Sequence, residues 1–190
     1  MSSETQAKGR LQDPLLLVLG WALLAAALMQ VVLGLGLAPL EEPTSSLHGP
    51  MTVVNVFQHL LWAGGVVAVA RAGAAGKGRL ALVGVTVSLL GFGLLVIAEL
   101  ATLVSMTVAY PLFGVATIAQ AVGLTTLGVG VVRARRWTGW SRWTLLACGL
   151  YIPIVLIPAM LIPGLWFHYA IGIWGICFLL LAVAVLRREA

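Results

Sequence analysis

Residues 80–132 read LALVGVTVSLLGFGLLVIAELATLVSMTVAYPLFGVATIAQAVGLTTLGVGVV, and Glu99 is the only charged side chain in the stretch. As one α-helix, at 1.5 Å per residue, it would run about 80 Å, against a hydrocarbon core about 30 Å thick. The stretch therefore folds back on itself. Pro111 suits a helix start and disfavours helix in the residue before it, which predicts a turn over Ser105 to Tyr110. Two spans result, at about 80–104 and 111–132.

The same reading extends outward in both directions. Upstream lie apolar runs at about 14–40 and 51–70, the first entered by Asp13-Pro14 and the second following Pro50. Aspartate is a good helix N-cap and proline a good first helical residue. Downstream runs lie at about 143–163 and 166–186. Each is near the roughly 20 residues needed to cross a bilayer. The expected fold is all-α: a polytopic membrane protein with a six-transmembrane-helix bundle in a single domain, 1–190, built as three helical hairpins.

Charge gives an independent check. Of 190 residues, 61% are apolar and 9% charged, too apolar for a soluble globular or disordered chain. The basic residues fall in four clusters between the apolar runs: Lys8 and Arg10; Arg71, Lys77 and Arg79; Arg133, Arg135, Arg136 and Arg142; Arg187 and Arg188. These are all the Lys and Arg of the chain. With six spans, every cluster falls on one side of the membrane, so the N- and C-termini are both expected to be cytoplasmic. The net charge of +5 is thus a topology signal, and no nucleic-acid partner is expected. Trp137, Trp140 and Trp143 mark the inner interface and Trp166 the outer one. The first run is about twice a signal-peptide core in length and is expected to be retained. Arg outnumbers Lys nine to two, as in a GC-rich bacterium, which points to the plasma (inner) membrane.

Polar side chains in hydrocarbon are costly and call for a reason. Here Gln30, Asn55, Gln58, His59, Glu99 and Gln120 all fall in the half of their spans away from the basic clusters, and His168 lies at the outer mouth of the last span. Asn55 and His59 are four residues apart and share a helix face. Pro153 and Pro158 interrupt the fifth span at comparable depth, and broken backbone is tolerated only against protein or a wet cavity. The expectation is an outward-facing polar pocket. Glu99 and His59 are its ionisable members. Gln30, Asn55, Gln58, Gln120 and His168 line it, with Trp62, Tyr110 and Trp174 as aromatic walls.

Three functions follow from such a pocket. The first is binding or movement of an apolar small molecule or an ion, proton-linked through Glu99 and His59. The second is a membrane enzyme acting on an isoprenoid or lipid, for example a cyclase, with Glu99 as general acid and ring faces stabilising a cation. The third is a non-catalytic accessory subunit whose polar residues only pack, each interhelical hydrogen bond adding about 1 kcal/mol. Membrane lipid and either a second copy or a partner membrane subunit are the expected partners. His48 and His59 lie about 16 Å apart along one helix, too far to share an iron, and no cofactor or metal is expected. Gly84, Gly91, Gly93, Gly123, Gly128 and Gly130 are expected to let spans three and four approach closely. Cys148 and Cys177 read as buried thiols at different depths. There is no P-loop, HExxH or GxSxG motif.

Overall fold

The computed structural model describes residues 13–37, 45–162 and 166–187, and among them there is helix and no strand. Six helices are long and apolar enough to cross a membrane. They are α1 (Pro14–Val32, prolonged by a π-helical turn at Leu33–Leu37), α2 (His48–Arg71), α3 (Arg79–Thr102), α4 (Met106–Ala134), α5 (Ser141–Met160) and α6 (Trp166–Leu186). This is the build of a multi-pass membrane protein.

Each helix packs on the next in the chain, and α6 closes on α1, so the six form a ring in sequence order. The outer surface of the ring is apolar: Val18, Leu82, Leu90, Val115 and Ile118 are all largely exposed. Such residues leave water by facing lipid.

Helix starts follow local chemistry. Asp13 accepts hydrogen bonds from the Leu15 and Leu16 amides at 3.1 and 3.4 Å, as an N-cap should. Arg71, at the end of α2, donates its Nε to Asp13 Oδ2 at 2.5 Å. Pro50 and Pro111 both lie inside their helices, because α2 begins at His48 and α4 at Met106. The turn between α3 and α4 is therefore Leu103–Ser105, shorter than the expected Ser105–Tyr110. Ser105 has extended backbone, and its carbonyl receives the Val108 and Ala109 amides. That is enough to start the helix ahead of the proline. At Pro50 the missing amide belongs to the first turn, where it has no helical partner to lose.

Arg71 and Asp13 tie the basic end together, with Arg136 Nη1 donating to Gly73 O at 3.1 Å and Arg187 over the Trp140 ring at 5.6 Å. The hydrogen bond from Arg71 holds the Asp13 carboxyl below its ordinary value of 3.8, a little burial opposes it, and the Leu16 and Leu15 amides add to the lowering. A depressed carboxylate stabilises the fold fully above its unfolded value and loses that contribution as pH falls through the lowered value. Asn caps a helix as well as Asp. The thermal stability of Asp13→Asn is therefore expected to fall slightly below wild type at neutral pH and to converge on it under strong acid. Parallel melting curves at the two pH values check this.

Small residues set the spacing of α3, α4 and α5. A Cβ on Gly123 would meet the Ser88 backbone nitrogen at 2.5 Å, and one on Gly149 the Thr125 backbone nitrogen at 2.4 Å. Backbone thus rests on backbone at both contacts. Of the six glycines named for this packing, Gly84, Gly91 and Gly123 bring α3 against α4, Gly128 rests on Leu146 of α5, Gly130 on Ala75, and Gly93 faces open space. In α5 the stretch Ile152–Leu156 is π-helical. The Ile152 amide turns to Gly149 O, and the Cys148 carbonyl accepts from Trp174 Nε1 at 2.9 Å. Pro153 has no amide to offer that carbonyl, so α6 supplies the donor. Both cysteines are free thiols. The Trp174 bond to the Cys148 carbonyl places Cys148 within about one turn of Cys177, three residues after Trp174, so the two lie at similar depth.

Candidate functional site

The ring encloses a cavity of about 370 Å³ in the half of the bundle away from the basic end. Its wall is built from one stripe per helix. On α2 the stripe is His48, Thr52, Asn55, His59 and Trp62; on α4 it is Met106, Tyr110, Phe113, Thr117 and Gln120. Alternating steps of three and four residues keep side chains on one helix face. Leu95, Glu99 and Thr102 continue the pattern on α3, and Phe167, Ile171 and Trp174 on α6. The π-turn of α5 presents Ile152 and Leu156.

Glu99 and His59 meet in this wall. His59 Nε2 lies 3.3 Å from Glu99 Oε1, and the side chains are only 11% and 13% exposed. Thr102 Oγ1 donates to the Glu99 carbonyl at 2.7 Å, and Thr52 Oγ1 lies 3.4 Å from Thr102 Oγ1. Hydroxyls from two helices thus brace the turn that carries the carboxylate.

Below the pair lies an aromatic floor. Trp62 stacks on Phe178 with ring centroids 4.6 Å apart and 7° between planes, and meets Trp174 and Phe92 edge-on at 5.0 and 5.9 Å. The His59 ring is 5.8 Å from Trp62. Gln120 sits beside them, and Gly91 makes room for it: a Cβ there would lie 2.9 Å from Gln120 Cγ. Trp62 and Gln120 are each 1% exposed. Trp62 Nε1, His59 Nδ1 and both amide atoms of Gln120 have no hydrogen-bond partner among the described residues. A buried polar group left unpaired costs about 1–3 kcal/mol, so three neighbouring residues of this kind form a costly cluster.

Of the residues singled out in the sequence, Gln30, Asn55, His59, Trp62, Glu99, Tyr110, Gln120, His168 and Trp174 line the cavity. Tyr110 is mostly exposed, at the mouth. Gln58 does not line it. It turns to α1, where its Nε2 donates to Gln30 Oε1 at 2.5 Å and to Ala26 O at 3.2 Å. Asn55 and His59 are four apart, whereas Gln58 precedes His59 by one and so faces the neighbouring helix. Gln58→Leu is expected to lose about 1 kcal/mol of stability, and the Gln30→Leu/Gln58→Leu pair less than the sum of the singles, because the double change leaves no orphaned amide. A double-mutant cycle on thermal unfolding measures this.

Residues not singled out for the site also line the cavity: His48, Thr52, Thr102 and Thr117, and the thioethers of Met51, Met106 and Met160. The signal for them was the spacing itself. The steps 48, 52, 55, 59, 62 and 106, 110, 113, 117, 120 are both regular. Apolar members hide in a chain where every face is apolar, so only the polar ones stood out.

Among the described residues no three His, Cys, Asp or Glu side chains come together as a metal site. Comparison with protein-family models, with curated proteins and with solved structures yields no match.

Proposed function

We propose that this protein binds and moves a small molecule across a membrane through the cavity, with the Glu99–His59 pair handling a proton. The observation that carries the reading is the 3.3 Å contact between the two side chains in the wall of a 370 Å³ cavity. That volume lies within the range of small-ligand sites. An imidazole and a carboxyl group in contact can each hold a proton and pass it from one to the other. A ligand or a conformational step that parts the two breaks that path, which is the coupling that proton-linked movement needs.

The cavity lies at the end away from the Lys and Arg clusters. By the positive-inside rule that end faces out and both termini face the cytoplasm, in the plasma membrane. The chain then forms three hairpins across the bilayer.

A second reading draws on the aromatic floor. Trp62 and Trp174 present ring faces and edges below a carboxyl group, as a cation-forming reaction on an isoprenoid would use. The pairing of Glu99 with His59 favours transport, since a general acid needs its proton free for the substrate. One preparation separates the readings. Protein in liposomes loaded with a pH-sensitive dye is expected to couple ligand flux to proton flux, and Glu99→Gln to lose the coupling. Turnover of a prenyl substrate would support the enzyme. A variant that differs from wild type only in stability would support a packing role in a larger complex.

A further inference from the structure

The floor of the cavity differs chemically from the pair above it. Gly91 and Phe92 of α3 mark the floor, since they pack on Gln120 and Trp62. Glu99 follows them by seven and eight residues, about 10–12 Å along the helix. An ammonium group at the floor would meet the Glu99 carboxylate only past His59, whose Nε2 already engages it. Among the described residues no Lys or Arg lines the cavity to receive an anion. What the floor does offer is uncharged hydrogen-bonding capacity: the Trp62 N–H donates, the Gln120 amide both donates and accepts, and His59 Nδ1 accepts or donates according to the ring's protonation while Nε2 contacts Glu99. All of these atoms lack a partner among the described residues except Nε2.

We propose that this floor seats the uncharged, oxygen-bearing head of an amphipathic molecule, a hydroxyl above all, whose hydrocarbon body runs up the cavity toward the mouth. A hydroxyl accepts from Trp62 and donates to Gln120 or His59 at once, which satisfies both sides of the cluster. Above it the wall mixes polar side chains, Thr52, Asn55 and Glu99 among them, with an apolar portion, Leu95, Phe113, Leu156 and Ile171, against which the hydrocarbon would lie. At the mouth Met106 and Met160 add flexible thioethers that adapt to chains of different shape. The inference rests on the reading of the cavity as a ligand site and names the ligand's class: a neutral lipid-like alcohol rather than an ion, an amine or a fatty acid.

The test is photolabelling of the full chain in lipid nanodiscs. The probe is a straight-chain primary alcohol of about ten carbons bearing a diazirine near the hydroxyl, compared with matched probes ending in ammonium and in carboxylate. Adducts are mapped by mass spectrometry. The alcohol is expected to label the peptides that carry Trp62 and Gln120, and unlabelled 1-decanol to compete. Gln120→Met keeps the shape and removes the amide, and is expected to cut that labelling about tenfold, as the loss of a hydrogen-bonded contact does. Trp62→Phe, which keeps the stacked ring and removes the N–H, provides the same test by a second residue and is expected to cut it severalfold. Equal or stronger floor labelling by a charged probe would overturn the proposal, as would folded variants that label like wild type. Glu99→Gln is expected to retain the labelling. Proton flux unchanged in Glu99→Gln would defeat the transport reading alone, whereas labelling spread evenly over lipid-facing helix surfaces would defeat the seat alone.

Discussion

Glu99→Gln is expected to lower proton-linked flux about a hundredfold or more, the scale on which removing a positioned proton-transfer group acts, while leaving the protein folded. The two effects separate because of where the carboxylate sits. Its contact with His59 Nε2 is one interhelical hydrogen bond of 3.3 Å, and such bonds contribute about 0.6–1 kcal/mol in membrane proteins. A glutamine amide is nearly the same shape and still accepts from His59. For a chain of this size about 1 kcal/mol moves the melting temperature by roughly 2–4 °C. The protonatable group, by contrast, is lost entirely, because among the described residues no other acidic side chain lines the cavity. Coupled flux and thermal unfolding measured on one preparation give both numbers. Flux within a few-fold of wild type would remove Glu99 from the mechanism.

Trp62→Ala is expected to be the most destabilising single truncation in the bundle, at about 3–5 kcal/mol. Trp62 is 1% exposed and touches three other rings at once, from α3 and α6. Aromatic pairs add about 0.5–1.5 kcal/mol each beyond simple burial. Truncation also leaves a void that the helices cannot close, since α4 already rests on α3 and α5 through Gly123 and Gly149 with backbone in contact. The fall in melting temperature is expected to be roughly 10 °C. Trp62→Phe keeps a ring against Phe178 and should cost much less. A Trp62→Ala protein within about 1 kcal/mol of wild type would show that the aromatic floor does not hold the ring of helices together.

Much of this architecture is legible in the amino-acid sequence. The number of spans follows from apolar length. The clustering of Lys and Arg at alternate helix ends gives the side on which they lie. The shared depth of His59 and Glu99 is legible, because both lie in the half of their helices away from the basic end; their contact is not, since it also depends on the rotation of α2 against α3. Two kinds of information are not legible. Helix starts at Pro50 and Pro111 are misplaced by a few residues: at Pro50 the missing amide lies in the first turn, where no helical bond is lost, and at Pro111 the Ser105 carbonyl starts the helix ahead of a proline that falls in its second turn. The facing of individual polar residues fails at Gln58, where depth is right and rotation is not. In a chain whose lipid-facing and inward-facing sides are both apolar, rotation is visible only through the polar stripe. The single polar residue that serves a neighbouring helix looks the same as those that serve the cavity. The similar depth of Cys148 and Cys177 was hidden for a similar reason: it depends on the register of α5 against α6, which the broken helix at Pro153 alters.

The central claim is that the inner face of this ring encloses a cavity open to water at the end opposite the arginines. Thr117 and Ile118 test it as adjacent residues of α4, the first lining the cavity and the second 60% exposed on the outer surface. In a Cys148→Ala/Cys177→Ala background, each is replaced singly by cysteine and treated in intact membranes with a charged, membrane-impermeant thiol reagent. Only a thiol in contact with water ionises and reacts. The account predicts rapid modification of Thr117→Cys from the extracytoplasmic side and none of Ile118→Cys. Equal rates at the two positions, or faster reaction at Ile118→Cys, would contradict it.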